Sequence, residues 1–486
     1  MTLSFIAGIR AAAAHNAMAP ALVSGRRVIG YKDLLDLIAR IANILVARQL
    51  NAGAKVFINI FDPDIRLATM IAAMHVGLVP FALLDLGDTP GEVDYDLVVG
   101  TGERHSPEPV PDLLLDPQSL GAADPVLPDF PDRGADDILF VASTTGSTGR
   151  RKLVAEIAGR FERHTAGRSA ATSERPIQSS DRVMMTTGDV TKAGIGGALK
   201  ILTVGATHVR FERRLPECVR LINILRVTRL TATPSALMDL TDAMAAETMA
   251  CPSLRHIVVT GALLQRTEIE RIERHFDAEI WIHYGSSETG MVASGRVTAA
   301  AFEPGYVGDV VPGIVLAAAG TPDQPAELVI ASSKRASAPY YSKGRLVSER
   351  GGALALPDIG YLRGQRIYLV GRDDEVVNFD GNKTAYSIID AELRAQPGVG
   401  DVAIVGAAAI GDSAGIIVAI VADEQADMRG LKATACRAAH APDSATGHVR
   451  LFKVDRIPRN QVGKVDRRAV VHAYTQSHGR VSAHSD

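Results

Sequence analysis

Ile138-Leu139-Phe140-Val141-Ala142-Ser143-Thr144-Thr145-Gly146-Ser147-Thr148-Gly149-Arg150-Arg151-Lys152 passes from an apolar run directly into glycines, hydroxyls and cations. The run 138–142 reads as a buried strand, and the loop that leaves it has the composition of a polyphosphate cradle. Glycines let the backbone turn its N–H groups toward a ligand, hydroxyls add donors, and the closing arginines and lysine offset phosphate charge. Gly146 and Lys152 stand six apart and no Gly-Lys-Ser/Thr tripeptide occurs, which rejects the Walker A pattern. Taken alone, the same loop is also compatible with an ordinary surface connection.

Strands and helices alternate on both sides of this loop. Apolar residues at Leu34, Leu35, Ile38, Ile41, Ala42 and Leu45 predict a helix within 31–50, followed by a strand at 55–61 and a helix at 66–75. Further strands are expected at 183–185, 208–211, 229–232, 256–259 and 279–282, with helical stretches between most of them. This βαβ rhythm predicts an α/β protein with parallel-rich sheets covered by helices. Ligands of such sheets bind beyond the carboxyl ends of the strands. The loop 145–152, Gly261-Ala262 and Tyr284-Gly285-Ser286-Ser287-Glu288 all follow strands in this way.

At 486 residues the chain exceeds the size at which one core stops growing, so more than one domain is expected. Near Gly371 the pattern changes to a smaller α+β unit, with a helix at 388–394 and strands at 402–405 and 416–421. The expected division is a large N-terminal domain of helix-covered sheets over 1–371, a smaller C-terminal domain over 372–474, and a disordered tail over 475–486. Residues 101–133, rich in Pro, Asp and Gly, read as a surface loop.

Hydrophobic residues at 47% and charged residues at 22% describe an ordinary globular chain. A net charge of −3 without long single-sign runs gives no reason to expect nucleic acid or an anionic membrane as partner. A small molecule is the default ligand. Cys218, Cys251 and Cys436 are odd in number and far apart, fitting core thiols in a reducing compartment and no metal cage. No apolar run reaches the roughly 18 residues needed to span a membrane, and no basic-then-apolar leader is seen, so the cytoplasm is the expected location.

Taken together, segments 31–35, 145–152, 227–237, 254–263, 284–288, 308–313, Asp358, 371–392 and 458–468 resemble the adenylate-forming, AMP-binding superfamily of acyl-CoA synthetases, aryl and amino-acid adenylating enzymes and luciferases. The resemblance implies a large adenylation domain and a mobile C-terminal lid. It implies that Thr145, Gly146, Ser147, Thr148, Gly149 and Lys152 hold the β- and γ-phosphates of ATP, with Gly261 and Ala262 also at the nucleotide. Tyr284 is similar to the aromatic that stacks on adenine, although alone it would equally suit core packing. Ser287 matches the hydroxyl near the α-phosphate, and Glu288 the carboxylate that ligates Mg2+, a hard cation preferring oxygen. Asp358 resembles the aspartate that accepts both ribose hydroxyls, Arg372 the arginine beside it, and Asp374 the hinge between domains. Lys464, in Pro458-Arg459-Asn460-Gln461-Val462-Gly463-Lys464, is similar to the C-terminal catalytic lysine. An isolated lysine in such a basic run would be a solvated charge. The chain departs from the family pattern at Arg151, Leu153, Ala355-Leu356-Pro357 and Asn378, where proline, glycine, Ser/Thr-Gly and lysine are common.

The implied chemistry is ATP-dependent activation of a carboxylic acid as an acyl-adenylate, then transfer to the thiol of coenzyme A by an AMP-forming acid–thiol ligase. A stand-alone enzyme that loads a carrier-protein phosphopantetheine is the alternative, and a non-catalytic nucleotide-binding module a more remote one. The want of a His/Asp ligand cluster argues against a metal hydrolase. Lys192 stands where amino-acid adenylating relatives hold an aspartate for the substrate amine. A lysine there would repel an ammonium and suits an acid with a second negative or strongly polar group, unless it points to solvent or pairs with Asp189. Gly196, Thr231, Val258, Thr260, His283, Met291 and Val292 are expected to line the rest of the acyl pocket. Glycines at 194, 196 and 197 leave volume and Thr231, Thr260 and His283 offer hydrogen bonds, which fits a medium-sized, polar or aromatic acid.

Overall fold

Burial follows the predicted alternation. The computed structural model of the protein describes residues 2–478, except 83–92, 102–109, 131, 144–152, 167–172, 212–213, 248, 332–338, 343–344, 348–352, 373–374, 380–381, 413–414, 425 and 460–464. It divides into two compact units, one of residues 1–302, 308–315 and 332–352, the other of residues 303–307, 316–331 and 353–486. The second unit thus takes in 353–371, ahead of the change in sequence character near Gly371.

In the first unit two sheets are built mainly from parallel strands. The first contains β1 (Pro20–Val23), β2 (Val28–Gly30), β9 (Arg182–Met185), β10 (Thr207–Arg210), β11 (Arg229–Ala232), β12 (His256–Thr260), β13 (Glu279–Ser286) and β14 (Gly290–Val297). Its order in this unit is β14-β13-β12-β11-β9-β10-β1-β2, with β2 and β14 antiparallel to their neighbours. The second contains β3 (Lys55–Asn59), β4 (Val79–Ala82), β5 (Leu97–Thr101), β6 (Leu113–Leu115), β7 (Ile138–Ser143) and β8 (Leu153–Ile157). There β8 runs antiparallel to β7, the short strands Tyr340–Ser342 and Arg345–Val347 continue antiparallel beyond β8, and the others are parallel.

The helices form where the sequence supplies both a stripe and a cap. In α2 (Tyr31–Val46), Leu34, Ile38, Ile41, Ala42 and Leu45 are all buried. In α3 (Pro63–His75), Asp62 caps the amides of Asp64 and Ile65 and Pro63 stands at the first position, a placement in which its missing N–H costs nothing. In α6 (Lys192–Thr203), the Thr191 hydroxyl accepts from the Gly194 amide at 3.1 Å and donates to the Gly188 carbonyl at 2.7 Å. Leu34, Ile58, Phe140 and Leu199 belong to one core that joins both sheets through these helices.

Two expectations need correction. Residues 101–133 are not a plain loop, because β6 and a short helix, Pro117–Ala122, lie within them. The Asp and Pro that suggested a loop are the helix's own start signals: Asp116 accepts from the Ser119 amide and Pro117 opens the first turn. Nor does the tail begin at Thr475, since the last helix runs Arg467–His478. There the His478 ring stacks on Tyr474 at 4.4 Å, and both rings meet Phe452 edge-on.

The second unit holds the hairpin Leu354–Arg363 and Arg366–Arg372, with Ala326–Ala331 on its outer edge. Beyond it, Val399–Gly406, Ile416–Ala422 and Val449–Lys453 form a three-stranded sheet. Ile416, Val418 and Ile420 pack on Ile389 and Leu431 of two helices, while Ile417 and Ala419 pack on Val470 and Tyr474 of the last one. This is the smaller α+β unit expected from sequence.

Candidate active site

Register along β11, β12 and β13 brings the expected acyl-pocket residues together. Arg229, His256 and Glu279 are in step, as are Thr231, Val258 and Trp281, and Thr260 pairs with His283. Side chains alternate along a strand, so Thr231, Val258, Thr260 and His283 share one sheet face with Arg229 and His256. Met185 of β9 pairs with Thr231 and continues that face. A Cβ on Gly197 would come within 2.3 Å of the Met185 methyl, whereas one on Gly196 would meet nothing within 4 Å. Gly197 is therefore a packing glycine, and Gly196 leaves open space.

A residue with no sequence signal organises this face. Glu174 accepts from Nε2 of His283 at 2.6 Å and from Nε2 of His256 at 2.9 Å, and pairs with Arg229 at 2.9 Å. Burial alone would raise its pKa, but the hydrogen bonds from the two imidazoles outweigh burial and hold the carboxyl far below the ordinary range. His283 thus presents its ring to the face with Nε2 fixed.

Tyr284 lies near the end of β13, paired with Ala293, and the turn from β13 to β14 carries Ser287 and Glu288. It is tied internally by Ser286 and Thr289, whose hydroxyls lie 3.1 Å apart and accept from the Thr289 and Ser286 amides at 3.2 and 3.0 Å. Gly290 has φ +72°, and a Cβ on Gly285 would sit 1.9 Å from the Gly290 carbonyl oxygen, so both glycines are required. Met291 pairs with Gly285 at the start of β14. Gly261, with φ +92°, and Ala262 lie exposed just after β12.

Beneath this turn lies a buried group of charges. Lys192, 8% exposed, donates from Nζ to the Ser287 carbonyl at 2.8 Å and pairs with Glu156 at 3.0 Å, with the Ala155 carbonyl at 3.5 Å. It neither points to solvent nor pairs with Asp189, which instead meets Arg66 and Arg210. Its ammonium is engaged inside the protein by Glu156, which is equally buried, and by the Ser287 carbonyl. Burial, with Arg160 beside it, pulls Lys192 down to about 8, while Glu156 opposes both. Burial would raise Glu156, but Lys192 and Arg160 outweigh it and hold its carboxyl below the usual value.

Arg160 belongs to α5 (Ala158–Ala166) and is 1% exposed. Its Nε is 3.9 Å from Glu156, and none of its three nitrogens has a hydrogen-bond partner among the described residues. One turn later, burial and then the Arg160 charge depress His164 to about 3, so its imidazole is neutral. Arg160 and His164 both lie against Gly290, close to where a Cβ would stand.

In the second unit Asp358 and Arg372 face each other across the hairpin, Arg372 NH1 lying 3.8 Å from Asp358. Arg372 also approaches Glu375 at 3.9 Å, and Glu375 pairs with Arg467. The expected phosphate loop Thr145, Gly146, Ser147, Thr148, Gly149 and Lys152, the lysine Lys464 and the hinge Asp374 lie outside the described residues. Among the described residues no three His, Cys, Asp or Glu gather as a metal cage, and no helix is long and apolar enough to cross a membrane.

A model of the AMP-binding enzyme family matches residues 99–335. The chain is 24% identical to a 3-hydroxybenzoate–CoA ligase of Aromatoleum sp. (strain CIB), across 92% of each. It is 26% identical to an isonitrile lipopeptide synthase of Streptomyces coeruleorubidus over 73% of this chain, spanning a quarter (25%) of that longer protein. Among solved structures, the anthranilate CoA ligase AuaEII in complex with anthranoyl-AMP superposes with a TM-score of 0.79 at 16% identity, covering 98% of both chains.

Proposed function

From the premise that the chain belongs to the adenylate-forming, AMP-binding superfamily and is an AMP-forming ligase of the acyl-CoA synthetase type, we propose that it activates a hydroxyl- or amino-substituted aromatic acid and passes the acyl group to coenzyme A. The observation that carries the substrate class is the face formed by Thr231, Val258, Thr260 and His283. It offers two hydroxyls and an imidazole on one sheet face, and Gly196, expected at the same pocket, has open space beside it. Because Lys192 is engaged by Glu156 and Ser287, that wall supplies no free cation, which suits an acid whose single charge is the reacting carboxylate. The similarity to a 3-hydroxybenzoate–CoA ligase supports the same class.

In the first step a carboxylate oxygen bonds to the α-phosphorus of ATP while the bond to the pyrophosphate oxygen breaks. Two anions must approach, so the barrier falls where fixed donors meet the developing charge. Ser287 is assigned to the α-phosphate, the loop 145–152 and Lys464 to the pyrophosphate, Tyr284 to adenine, and Asp358 with Arg372 to the ribose. Glu288 is the single carboxylate of its turn, a donor set that suits Mg2+, which keeps water and phosphate oxygens as its other ligands; the ion would supply charge neutralisation there. In the second step a thiol sulfur attacks the acyl carbon and AMP leaves. Asp374 is assigned as the hinge between the two steps.

A carrier-protein acceptor is the second reading, favoured by the similarity to the lipopeptide synthase. The cytoplasm is the proposed location, on the three buried free thiols. The test is acid-dependent pyrophosphate release with ATP and Mg2+ over a panel of substituted benzoates, with and without coenzyme A. Release with a hydroxy- or aminobenzoate, an acyl-CoA product, and loss of release in Lys464→Ala are expected. Release with alkyl acids alone would overturn the substrate class, and release without thioester formation would favour the carrier protein.

A further inference from the structure

Lys192 breaks a local rule. It is the first residue of α6, where the positive end of the helix dipole disfavours a cation, and it is buried, where an ammonium is disfavoured again. A buried ion pair is poor evidence of stabilisation, since apolar replacements of the same volume often do as well. What this pair does achieve is placement. The ammonium has three donors, and they are matched by Glu156 Oε2 at 3.0 Å, the Ser287 carbonyl at 2.8 Å and the Ala155 carbonyl at 3.5 Å. These acceptors lie on β8 and on the β13–β14 turn, so one side chain ties α6, β8 and the turn together.

We propose that Lys192 is a positioning residue for adenylation: held by Glu156, it fixes the Ser287 carbonyl and thereby sets where the Ser287 hydroxyl and Glu288 carboxylate point. The proposal rests on the roles assigned above to Ser287 and Glu288. It separates Lys192 from the acyl pocket, because no donor of its ammonium is left for an acid. Arg160, the second cation near Glu156, makes no hydrogen bond to the turn among the described residues and does not replace it.

The test compares Lys192→Met, Lys192→Arg and the double variant Lys192→Met/Glu156→Met by pyrophosphate kinetics, thermal unfolding and calorimetric binding of Mg2+·ATP. In Lys192→Met, kcat is expected to fall about 10- to 100-fold, the order of loss for a misplaced reacting group, with KM for the acid little changed. Lys192→Arg keeps a donor in reach of Ser287 and recovers part of kcat. The double variant removes the stranded carboxylate along with the lysine but also the counter-charge of Arg160, so it recovers part of the stability lost in Lys192→Met and none of kcat. A rise in KM for the acid at unchanged kcat would overturn the proposal in favour of a substrate contact. Recovery of kcat together with stability in the double variant would overturn it in favour of a purely structural pair. If the wild type binds Mg2+·ATP yet releases pyrophosphate with no acid, the functional reading fails by itself. The positioning role is then decided by nucleotide affinity: about tenfold weaker binding in Lys192→Met upholds it, and unchanged binding overturns it.

Discussion

Two carboxylates of the first unit, Glu174 and Glu156, each draw several positive or hydrogen-bonding partners, and they are resolved in opposite ways. Glu174 is saturated: two imidazoles and one guanidinium converge on its two oxygens. Glu156 is only half satisfied, with Lys192 at 3.0 Å on one oxygen and Arg160 at 3.9 Å from the other, which has no hydrogen bond among the described residues. The saturated group lies on the same sheet face as the residues proposed for the acid, at its Arg229–His256 end. The unbalanced one lies under the Ser287–Glu288 turn, beside the expected reaction centre. A scaffold can afford satisfied charges anywhere, but a buried guanidinium without hydrogen bonds opposes folding and tends to persist at sites under functional constraint.

The comparison breaks most visibly at Glu174. Glu174→Ala strands Arg229 against two imidazoles, and a loss of about 3–5 kcal/mol is expected in urea unfolding at neutral pH. Because the folded pKa lies below the unfolded one, this contribution is present above the ordinary glutamate value of 4.5 and is lost as pH falls below it. The deficit of the variant should therefore narrow in acid. A loss under about 1 kcal/mol would mean that Glu174 is replaceable and the contrast false.

Arg160→Met tests the other side with the opposite sign. Removing a buried charge that has no hydrogen bond among the described residues and only a 3.9 Å approach to Glu156 is expected to raise unfolding stability by on the order of 2 kcal/mol. A fall of the same size would show Arg160 to be an ordinary structural cation. The smallest effect concerns its neighbour His164, whose folded pKa of about 3 lies below the ordinary histidine value of 6.5. The unfolded chain binds this proton first, so stability present above 6.5 declines as pH falls toward 3. At about pH 5.5 the wild type should have lost about 1.4 kcal/mol that His164→Asn retains. Parallel pH profiles for the two proteins would remove His164 from the unbalanced group.

Periodicity made the strands legible. Arg229–Ala232 falls where the alternation predicts it, and His256–Thr260 and Glu279–Ser286 extend it by a few residues. The shared face of Thr231, Thr260 and His283 follows once those strands are parallel and in register. The ionic partners were not legible, because an acidic residue acquires its meaning from groups far along the chain. Glu174 sits in a polar Ser-Glu-Arg run whose partners are 82 and 109 residues away, and Glu156 interrupts an otherwise apolar strand without saying what it faces. The Asp116-Pro117 helix start was visible in principle and was hidden by the habit of reading Asp and Pro as loop formers.

The Glu174 contacts also bear on how the chain can fold. Its partners stand on three different strands, so its charge is satisfied only when β11, β12 and β13 are aligned. A slip of one residue in any of them would turn that strand's partner to the opposite side of the sheet, leaving a buried carboxylate short of a counter-charge. The segment around Glu174 thus discriminates correct from shifted strand assembly, and in a parallel sheet of long-range pairings, the slowest kind to form, it can close only on the correct alignment.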